Sequence, residues 1–275
     1  MAFPSAAMNS AARHITDTIH PFQIVFFRNL FGSLFVLPII IRYGFSILKT
    51  QRFSTHLGRA GLNVINHLFF FTALSLTTLS ELVALGFTAP IFTTMLAVIL
   101  FGEIVGWRRW GAIIFAFFGA LIILKPGIDN ITLGHGMTLM AALTWAGVLL
   151  FIKSLSDTER SITIVAYATF LMTPLSLIPA LFVWQWPTYN ELMWLAFIGL
   201  TAGCAQFFIA QALHETDLNV VMPFDFTKLI WVSVIALLFF GEIPELTTWI
   251  GGAIIFSAGI YVAHREAAKN PKTGS

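Results

Sequence analysis

Two ionisable residues, Asp225 and Lys228, lie near the middle of the apolar segment DLNVVMPFDFTKLIWVSVIALLFFGE, which runs from Asp217 to Glu242. At a helical rise of 1.5 Å per residue, they lie about 12 and 16 Å from Asp217. In a hydrocarbon layer about 30 Å thick, this depth is close to the midplane. A charge there costs about 2.5–3.5 kcal/mol on insertion scales. We interpret the two residues either as a structural ion pair or as part of a polar binding site.

Polar side chains recur at the same depth on other apolar segments. Along their helices, Arg28 lies about 12 Å from His20, His67 about 12 Å from Arg59, and Gln206 about 13 Å from Glu215. Lipid-facing positions tolerate such groups poorly, so we expect them to face an internal cavity or one another. Arg28 also has a structural interpretation, in which it anchors helix packing through backbone carbonyls. His67 is interpreted either as a carrier of a coupling proton or as a neutral, hydrogen-bonded residue.

One predicted helix carries several polar residues on a single face. Asn63, Asn66 and His67 follow the i, i+3, i+4 spacing of helical neighbours. We interpret the two asparagines either as substrate ligands or as interhelical hydrogen-bond partners, worth about 0.6 kcal/mol each. Trp145 and Tyr167, which also lie in apolar segments, either contact a substrate or only pack against other helices.

Three further residues are candidates for gating or coupling. Glu81 begins a predicted helix, where an acid complements the helix dipole; the alternative is a gating or proton-transfer role. Pro90 and Pro223 interrupt two predicted spans, and a kink at proline frees carbonyls that can line a cavity or act as a hinge.

Nothing in the sequence indicates catalysis or metal binding. Cys204 is the single cysteine and has no neighbouring base, and the chain contains no HExxH motif or zinc-like Cys/His spacing. The net charge of +2, without a long basic stretch, gives no reason to expect a nucleic-acid partner. We therefore expect no enzyme activity, no cofactor and no metal.

The elements that must position these groups are membrane-spanning helices. The chain has 275 residues, of which 57% are hydrophobic and 10% charged, a composition typical of a polytopic membrane protein. Runs of roughly 20 apolar residues are long enough to cross the bilayer. Together with a short first crossing at 1–16, they predict ten transmembrane helices, the others near 22–41, 58–78, 82–101, 107–124, 134–152, 162–184, 191–213, 218–240 and 247–264.

The distribution of Lys and Arg predicts the orientation. If both termini are cytoplasmic, the predicted outer loops contain only Arg13 and Lys125. The inner loops and the tail then hold Arg42, Lys49, Arg52, Arg59, Arg108, Arg109, Lys153, Arg160, Arg265, Lys269 and Lys272. This bias predicts a multi-pass protein of the bacterial cytoplasmic (inner) membrane with both termini inside.

Short words repeat in the same order along the chain. FGEI occurs at Phe101–Ile104 and again at Phe240–Ile243, an offset of 139 residues (240 − 101). GAIIF occurs at Gly111–Phe115 and again at Gly252–Phe256. The sequence therefore predicts two five-helix repeats, residues 1–126 and 127–265, with a cytoplasmic tail at 266–275. Because five crossings are an odd number, the second repeat is inverted relative to the first.

The repeats, each with a Gly-Glu after its fourth helix and a glycine-rich fifth helix, resemble the drug/metabolite transporter superfamily, EamA-like branch. The stretch HPFQIVFFRNLFG also resembles that family's second helix, which commonly carries an arginine where Arg28 stands. The resemblance implies an all-α transporter with candidate substrates such as amino acids and their derivatives, S-adenosylmethionine-like compounds or small amines.

Inverted repeats and midplane polar groups together favour a secondary transporter that moves a small polar or amphipathic metabolite by alternating access. The expected partners are a small-molecule substrate, the lipid bilayer and, at the glycine-rich helices, a second copy in a homodimer. The alternatives are an intramembrane lipid-modifying enzyme and a non-catalytic membrane partner.

Overall fold

The apolar segments fold into helices in the computed structural model, which describes residues 2–44, 48–101, 107–124, 132–215, 231–232, 234–235, 237–238, 241 and 245–269. The helices are α1 (Ala2–Ile15), α2 (Pro21–Tyr43), α3 (Phe53–Leu76), α4 (Leu79–Gly86), α5 (Ala89–Phe101), α6 (Trp107–Leu124), α7 (Leu133–Ser156), α8 (Ser161–Leu181), α9 (Tyr189–Glu215) and α10 (Leu246–Lys269). No strand occurs within these ranges. Most of the predicted span at 218–240 lies outside them.

Five stretches of the described chain are long and apolar enough to cross a membrane: Pro21–Arg42, Leu79–Leu96, Leu133–Ser156, Ser161–Leu181 and Tyr189–Ala212. The apolar stretches Trp110–Ile123 and Leu246–Ala258 are shorter. The protein is therefore a helical membrane protein, as the composition predicts. The total of ten crossings stays a prediction.

The predicted fourth span is two helices rather than one. After α4, the chain turns at Phe87 and Thr88 before α5 begins. Pro90 has no backbone N–H to donate to the carbonyl of Gly86, so an unbroken helix would lack a hydrogen bond at this point. The Thr88 hydroxyl donates to the carbonyl of Leu85 at 2.7 Å and satisfies part of the broken turn. The interruption predicted at Pro90 is thus present.

Polar side chains cap the first turns of two helices. At α2, the backbone N–H of Phe22 donates to Nδ1 of His20. At α9, Thr188 and Glu191 form a reciprocal pair: each side chain accepts from the other's backbone N–H, at 3.4 and 2.7 Å. Such pairs satisfy amide groups that have no partner within the first turn.

Helices α2 and α8 pack side by side in opposite directions. Near one end, Nε2 of Gln23 donates to the carbonyl of Gln185 at 2.7 Å. Further along, Nδ2 of Asn29 donates to Oγ of Ser176 at 3.2 Å. Residue numbers rise on α2 while they fall on α8, so the two helices are antiparallel.

Glycines bring α6 and α10 into close contact. A Cβ at Gly119 would lie 2.8 Å from the carbonyl oxygen of Gly251, and one at Gly251 would lie 2.5 Å from that of Gly119. Around this point Gly119 faces Ile255 and Gly251 faces Ile123, so these helices are also antiparallel. The two glycine-rich helices of the sequence therefore pack closely on each other within one chain, through Gly119 and Gly251.

Four other helix pairs complete the packing relevant to the site. Helix α3 packs on α7, and α1 packs on α9. Helix α2 contacts α9, and α3 contacts α8. These pairs surround the centre of the bundle, where α1, α2, α3, α4, α7 and α9 approach one another.

Candidate substrate-binding cavity

A cavity of about 150 Å³ lies at the centre of the bundle. Its walls come from α1, α2, α3, α4, α7 and α9, from the turn between α4 and α5, and from Ala89 at the start of α5, so helices from both predicted repeats contribute. Its main polar lining residues are Asn9, Arg28, Asn66, His67, Thr138 and Gln206. The cavity therefore collects polar side chains that are far apart in sequence.

Four buried polar atoms of the residues that line this cavity have no hydrogen-bond partner among the described residues: Oδ1 of Asn9, Nε of Arg28, Nδ1 of His67 and Oε1 of Gln206. An unsatisfied buried group costs about 1–3 kcal/mol, so such atoms normally have water or a ligand as a partner. Nε of Arg28 is a donor, the amide oxygens of Asn9 and Gln206 are acceptors, and Nδ1 of His67 is either one according to the tautomer. They can bind a molecule that has both a hydrogen-bond acceptor and a donor.

Arg28 is the cationic residue of this lining. It is 6% exposed, and its Nη1 donates to Oδ1 of Asn29 at 3.0 Å. A guanidinium group is planar and presents its donors in a rigid arrangement, so one fixed Nη also limits where Nε can point. Arg28 can thus offer a charge-assisted hydrogen bond from Nε without a large rearrangement.

Asn66 joins the cavity wall to α7. Its Nδ2 donates to the carbonyl of Ala141 at 2.6 Å and to Oγ1 of Thr144 at 3.2 Å. This is the interhelical bonding that the sequence left open as an alternative to substrate contact. Asn66 lines the cavity, but its amide nitrogen is already bonded to another helix.

Aromatic side chains form part of the remaining wall. Phe70, Phe87 and Trp145 line the cavity from α3, the turn after α4, and α7. Aromatic rings contribute large apolar contact surfaces and favour offset or edge-on packing with another ring. The combination of these rings with the polar group at Arg28 suits a planar molecule with polar substituents.

The structure brings together several residues that the sequence predicts for the site. Arg28, Asn66, His67, Trp145 and Gln206 all line the cavity. Their roles as substrate ligands stay a prediction.

Two other candidates lie away from this cavity. Asn63 is fully buried, and its Nδ2 lies 3.3 Å from the sulfur of Met172 on α8. The hydroxyl of Tyr167 donates to the carbonyl of Leu48 at 2.7 Å, and its ring stacks on that of His56. Both side chains join helices or loops instead of facing the central space.

The candidates for gating lie near the cavity or outside the described residues. A carboxylate oxygen of Glu81 lies 3.9 Å from Nε2 of His135, between the first turns of α4 and α7. Pro90 follows the break before α5. Pro223, Asp225 and Lys228 lie outside the described residues, so both interpretations of the charged pair stay predictions.

Sequence reasoning missed Asn9 and Thr138 in the lining. Ser5 and Asn9 are four residues apart on α1 and share one helix face, which was a usable signal for an inward-facing polar side. It also placed Arg59 in a loop, whereas Arg59 lies in α3, is 1% exposed and donates from Nη1 to the carbonyl of Ile164 at 2.8 Å. No signal within α3 predicted that partner on α8.

No cluster of three His, Cys, Asp or Glu side chains suitable for a metal ion occurs in the part of the chain that the structure describes.

Comparison with known proteins places the chain in a family. Residues 1–125 and 132–263 match the EamA-like transporter family. The riboflavin transporter of Vibrio cholerae is 35% identical over 239 residues, covering 86% of this chain and 80% of the relative. The riboflavin transporter of Rhizobium johnstonii is 33% identical over 273 residues, covering 99% and 85%.

Two further proteins are similar to this chain over almost its whole length. The S-adenosylmethionine uptake transporter of Rickettsia bellii is 27% identical over 262 residues, covering 95% of this chain and 90% of the relative. A protein of known crystal structure superposes with a TM-score of 0.70 at 16% identity, covering 96% of each chain, which shows a shared fold. With a family match over both halves of the sequence, the chain belongs to the EamA-like transporter family and is a transporter rather than an enzyme.

Proposed function

We propose that this transporter moves a metabolite that combines a planar nitrogen heterocycle with a polar chain, by alternating access across the bacterial cytoplasmic membrane. The central cavity is the observation that carries the proposal. It presents the unpaired polar atoms of Asn9, Arg28 and Gln206 beside the rings of Phe70 and Trp145. Riboflavin and S-adenosylmethionine, named for similar transporters, share this combination of ring and polar chain.

The helix contacts support two inverted repeats. At the offset of 139 residues, α2 corresponds to α8 (21 + 139 = 160), α3 to α9 and α6 to α10. Each contact between halves then has a counterpart: α3 with α7 matches α9 with α1, and α2 with α9 matches α8 with α3. The corresponding helices α2 and α8 are antiparallel, so the axis relating the halves is perpendicular to them. Such an axis lies in the membrane plane, the arrangement expected for alternating access.

The orientation belongs to the same proposal. Both termini face the cytoplasm, because the predicted inner loops hold most of the Lys and Arg residues. Labelling each terminus from either side of the membrane tests this arrangement. Termini on opposite faces would contradict the two odd-numbered inverted repeats.

The direct test of the substrate class uses purified protein in detergent and in proteoliposomes. Riboflavin, S-adenosylmethionine and a set of amino acids are screened for thermal stabilisation, since a ligand of the folded state raises its apparent stability. Uptake of each labelled compound into proteoliposomes is then measured. We expect riboflavin or S-adenosylmethionine to bind and enter, and transport restricted to uncharged hydrophobic compounds would overturn the proposal.

Two variants connect binding to the cavity. Arg28→Gln removes a charge-assisted donor, and we expect about 10–100-fold weaker binding, which corresponds to about 1.5–3 kcal/mol. Trp145→Ala removes an aromatic wall and should weaken binding about tenfold. Trp186→Ala is the matched control, because this tryptophan is 86% exposed and does not line the cavity. If all three variants bind the ligand as tightly as the original protein, the binding site lies elsewhere.

A further inference from the structure

Asn29 follows Arg28 on α2 but does not line the cavity. It is 1% exposed, and both ends of its side-chain amide are bonded. Oδ1 accepts from Nη1 of Arg28 at 3.0 Å, and Nδ2 donates to Oγ of Ser176 on α8 at 3.2 Å. The amide thus connects the cavity arginine to a helix of the other predicted repeat.

The Ser176 hydroxyl decides which way this amide points. Its hydrogen is directed to a carbonyl of its own helix, with Met172 at 2.7 Å and Thr173 at 3.1 Å. The hydroxyl oxygen is therefore available to Asn29 as an acceptor, so it must receive an N–H. This interaction directs Nδ2 of Asn29 towards α8 and leaves Oδ1 for Arg28.

The backbone of Arg28 is held from another side. A Cβ at Gly199 on α9 would lie 3.0 Å from the carbonyl oxygen of Arg28 and 2.4 Å from Cβ of Phe31. The absence of a side chain at Gly199 lets α9 pack directly on this turn of α2. With its backbone packed on α9 and Nη1 bonded to Asn29, the Arg28 guanidinium has little freedom to turn Nε away from the cavity.

We propose that Asn29 and Ser176 are positioning residues that hold the Arg28 guanidinium in its ligand-binding orientation. This inference rests on the proposed function, since it takes Arg28 as a contact of the transported molecule. Asn29 and Ser176 do not touch that molecule; they act through Arg28. Because Asn29 and Ser176 lie on different predicted repeats, occupation of the cavity is also linked to the packing of α2 on α8.

The first test is a double-mutant cycle in ligand affinity, with riboflavin and S-adenosylmethionine as probes. Asn29→Leu should weaken binding of the active probe about tenfold, the lower end of the effect of removing a group that orients a ligand-binding side chain. Ser176→Ala should weaken binding about threefold, because Asn29 keeps its bond to Arg28 but loses its own anchor. In an Arg28→Gln background, Asn29→Leu should have no further effect on affinity.

The control is Thr173→Ala, one turn before Ser176. The hydroxyl of Thr173 donates to the carbonyl of Thr169 within α8, so its removal should leave affinity unchanged. If Asn29→Leu weakens binding equally with and without Arg28, Asn29 does not act through that residue and the inference is wrong.

A second measurement needs no ligand. Phenylglyoxal modifies arginine side chains, and mass spectrometry of the peptide that contains Arg28 reports the rate at that residue. Asn29→Leu should increase labelling of Arg28 several-fold, whereas Asn29→Asp retains an acceptor for Nη1 and should keep labelling near the original rate. Unchanged labelling in Asn29→Leu overturns the inference.

The two proposals fail in different ways. If Arg28→Gln binds both probes as tightly as the original protein, the proposed binding role of Arg28 is wrong, and the inference that rests on it fails as well. If Arg28→Gln loses binding while Asn29→Leu keeps both affinity and the original labelling rate, the proposed function stands and the positioning role is rejected.

Discussion

The central cavity and a second polar region contain similar residue types but use them differently. The second region, here called the Tyr167 cluster, consists of Thr50, Arg52, His56, Glu159 and Tyr167 and lies where the start of α3 meets the connection between α7 and α8. In it, Arg52, Thr50 and Tyr167 all bond to protein groups. Both ring nitrogens of His56 have no hydrogen-bond partner among the described residues, but His56 does not line the cavity. In the cavity, atoms of Asn9, Arg28 and Gln206 are without partners in the described chain.

The Tyr167 cluster is therefore a structural contact between helices, whereas the central cavity is a candidate binding site. Nη1 of Arg52 donates to the carbonyl of Ser154 at 2.6 Å, and Nη2 donates to the Ser154 hydroxyl at 2.7 Å. The His56 and Tyr167 rings stack with centroids 4.5 Å apart. The cluster therefore connects the first predicted repeat to the second through hydrogen bonds and ring stacking within the chain. Residue type alone does not identify a ligand site; polar atoms that lack a protein partner and also line a cavity indicate one.

The largest effect on the free energy of unfolding is expected from substitutions at two glycines, only one of which lies beside the cavity arginine. Gly199→Ala places a methyl group 2.4 Å from Cβ of Phe31, and Gly251→Ala places one 2.5 Å from the carbonyl oxygen of Gly119. Both should lower the free energy of unfolding by about 1–3 kcal/mol, because close-packed helices must separate. Only Gly199→Ala moves the turn that carries Arg28, so only this variant should also weaken binding of riboflavin or S-adenosylmethionine.

Denaturant unfolding and calorimetric titration measure the two effects. Gly136→Ala is the control, since a Cβ there meets no atom within 4 Å and alanine favours a helix over glycine by about 1 kcal/mol. A loss of affinity in Gly251→Ala as large as in Gly199→Ala would show that general loosening of the bundle, rather than displacement of Arg28, controls binding.

An intermediate effect is expected in the Tyr167 cluster. Arg52→Ala removes the bonds to Ser154 and should lower the free energy of unfolding by about 1–2 kcal/mol. Ligand affinity should stay unchanged, because Arg52 does not line the cavity. Thermal melts and titration of the same sample check both expectations.

Lys153→Ala is the matched control for Arg52→Ala, because it also removes a cationic side chain. Lys153 pairs with the more exposed Asp157 one turn later at 3.4 Å, and pairs of this kind contribute about 0.3–0.5 kcal/mol. If Arg52→Ala weakens binding as strongly as Trp145→Ala, the Tyr167 cluster is part of the binding site and its proposed purely structural role is wrong.

The smallest effect comes from Tyr167→Phe. This change removes the hydroxyl that donates to the carbonyl of Leu48 and keeps the ring stacked on His56. We expect a loss of about 0.5–1.5 kcal/mol in unfolding free energy and no change in affinity. Titration against the Trp145→Ala variant decides between the two aromatic candidates: a comparable loss in Tyr167→Phe would restore the sequence-based assignment of Tyr167 to the substrate site.

The fold was largely predictable because long apolar runs must become helices in a membrane, where every backbone polar group needs an internal partner. The boundaries agree with this reasoning: α8 covers Ser161–Leu181 against a predicted 162–184. The break between α4 and α5 was signalled by Pro90, but its place at Phe87 and Thr88 depends on the local bonding of the turn.

The site was predictable only in part. The helical spacing of Asn63, Asn66 and His67 predicted one inward face of α3, but only Asn66 and His67 line the cavity, whereas Asn63 contacts Met172 on α8. Arg28 and Gln206, predicted from their depth to be internal, also line the cavity. Tyr167 was a candidate only as an aromatic residue in an apolar segment, and its hydroxyl instead donates to the carbonyl of Leu48. Spacing along one helix contains no information about which other helix lies opposite.

By itself, the sequence determined that apolar helices cross a membrane, that short words recur in the same order in its two halves, and that costly polar groups occur within the apolar segments. Only the tertiary structure decided which of those groups remain open to a cavity. Arg28 and Gln206 are 178 positions apart (206 − 28), and both line the same space. Asn63 and Tyr167 have partners supplied by α8 and by the loop before α3. Hydrogen bonds and packing act over a few ångströms, so the neighbours that satisfy or expose each polar atom exist only once the helices have assembled.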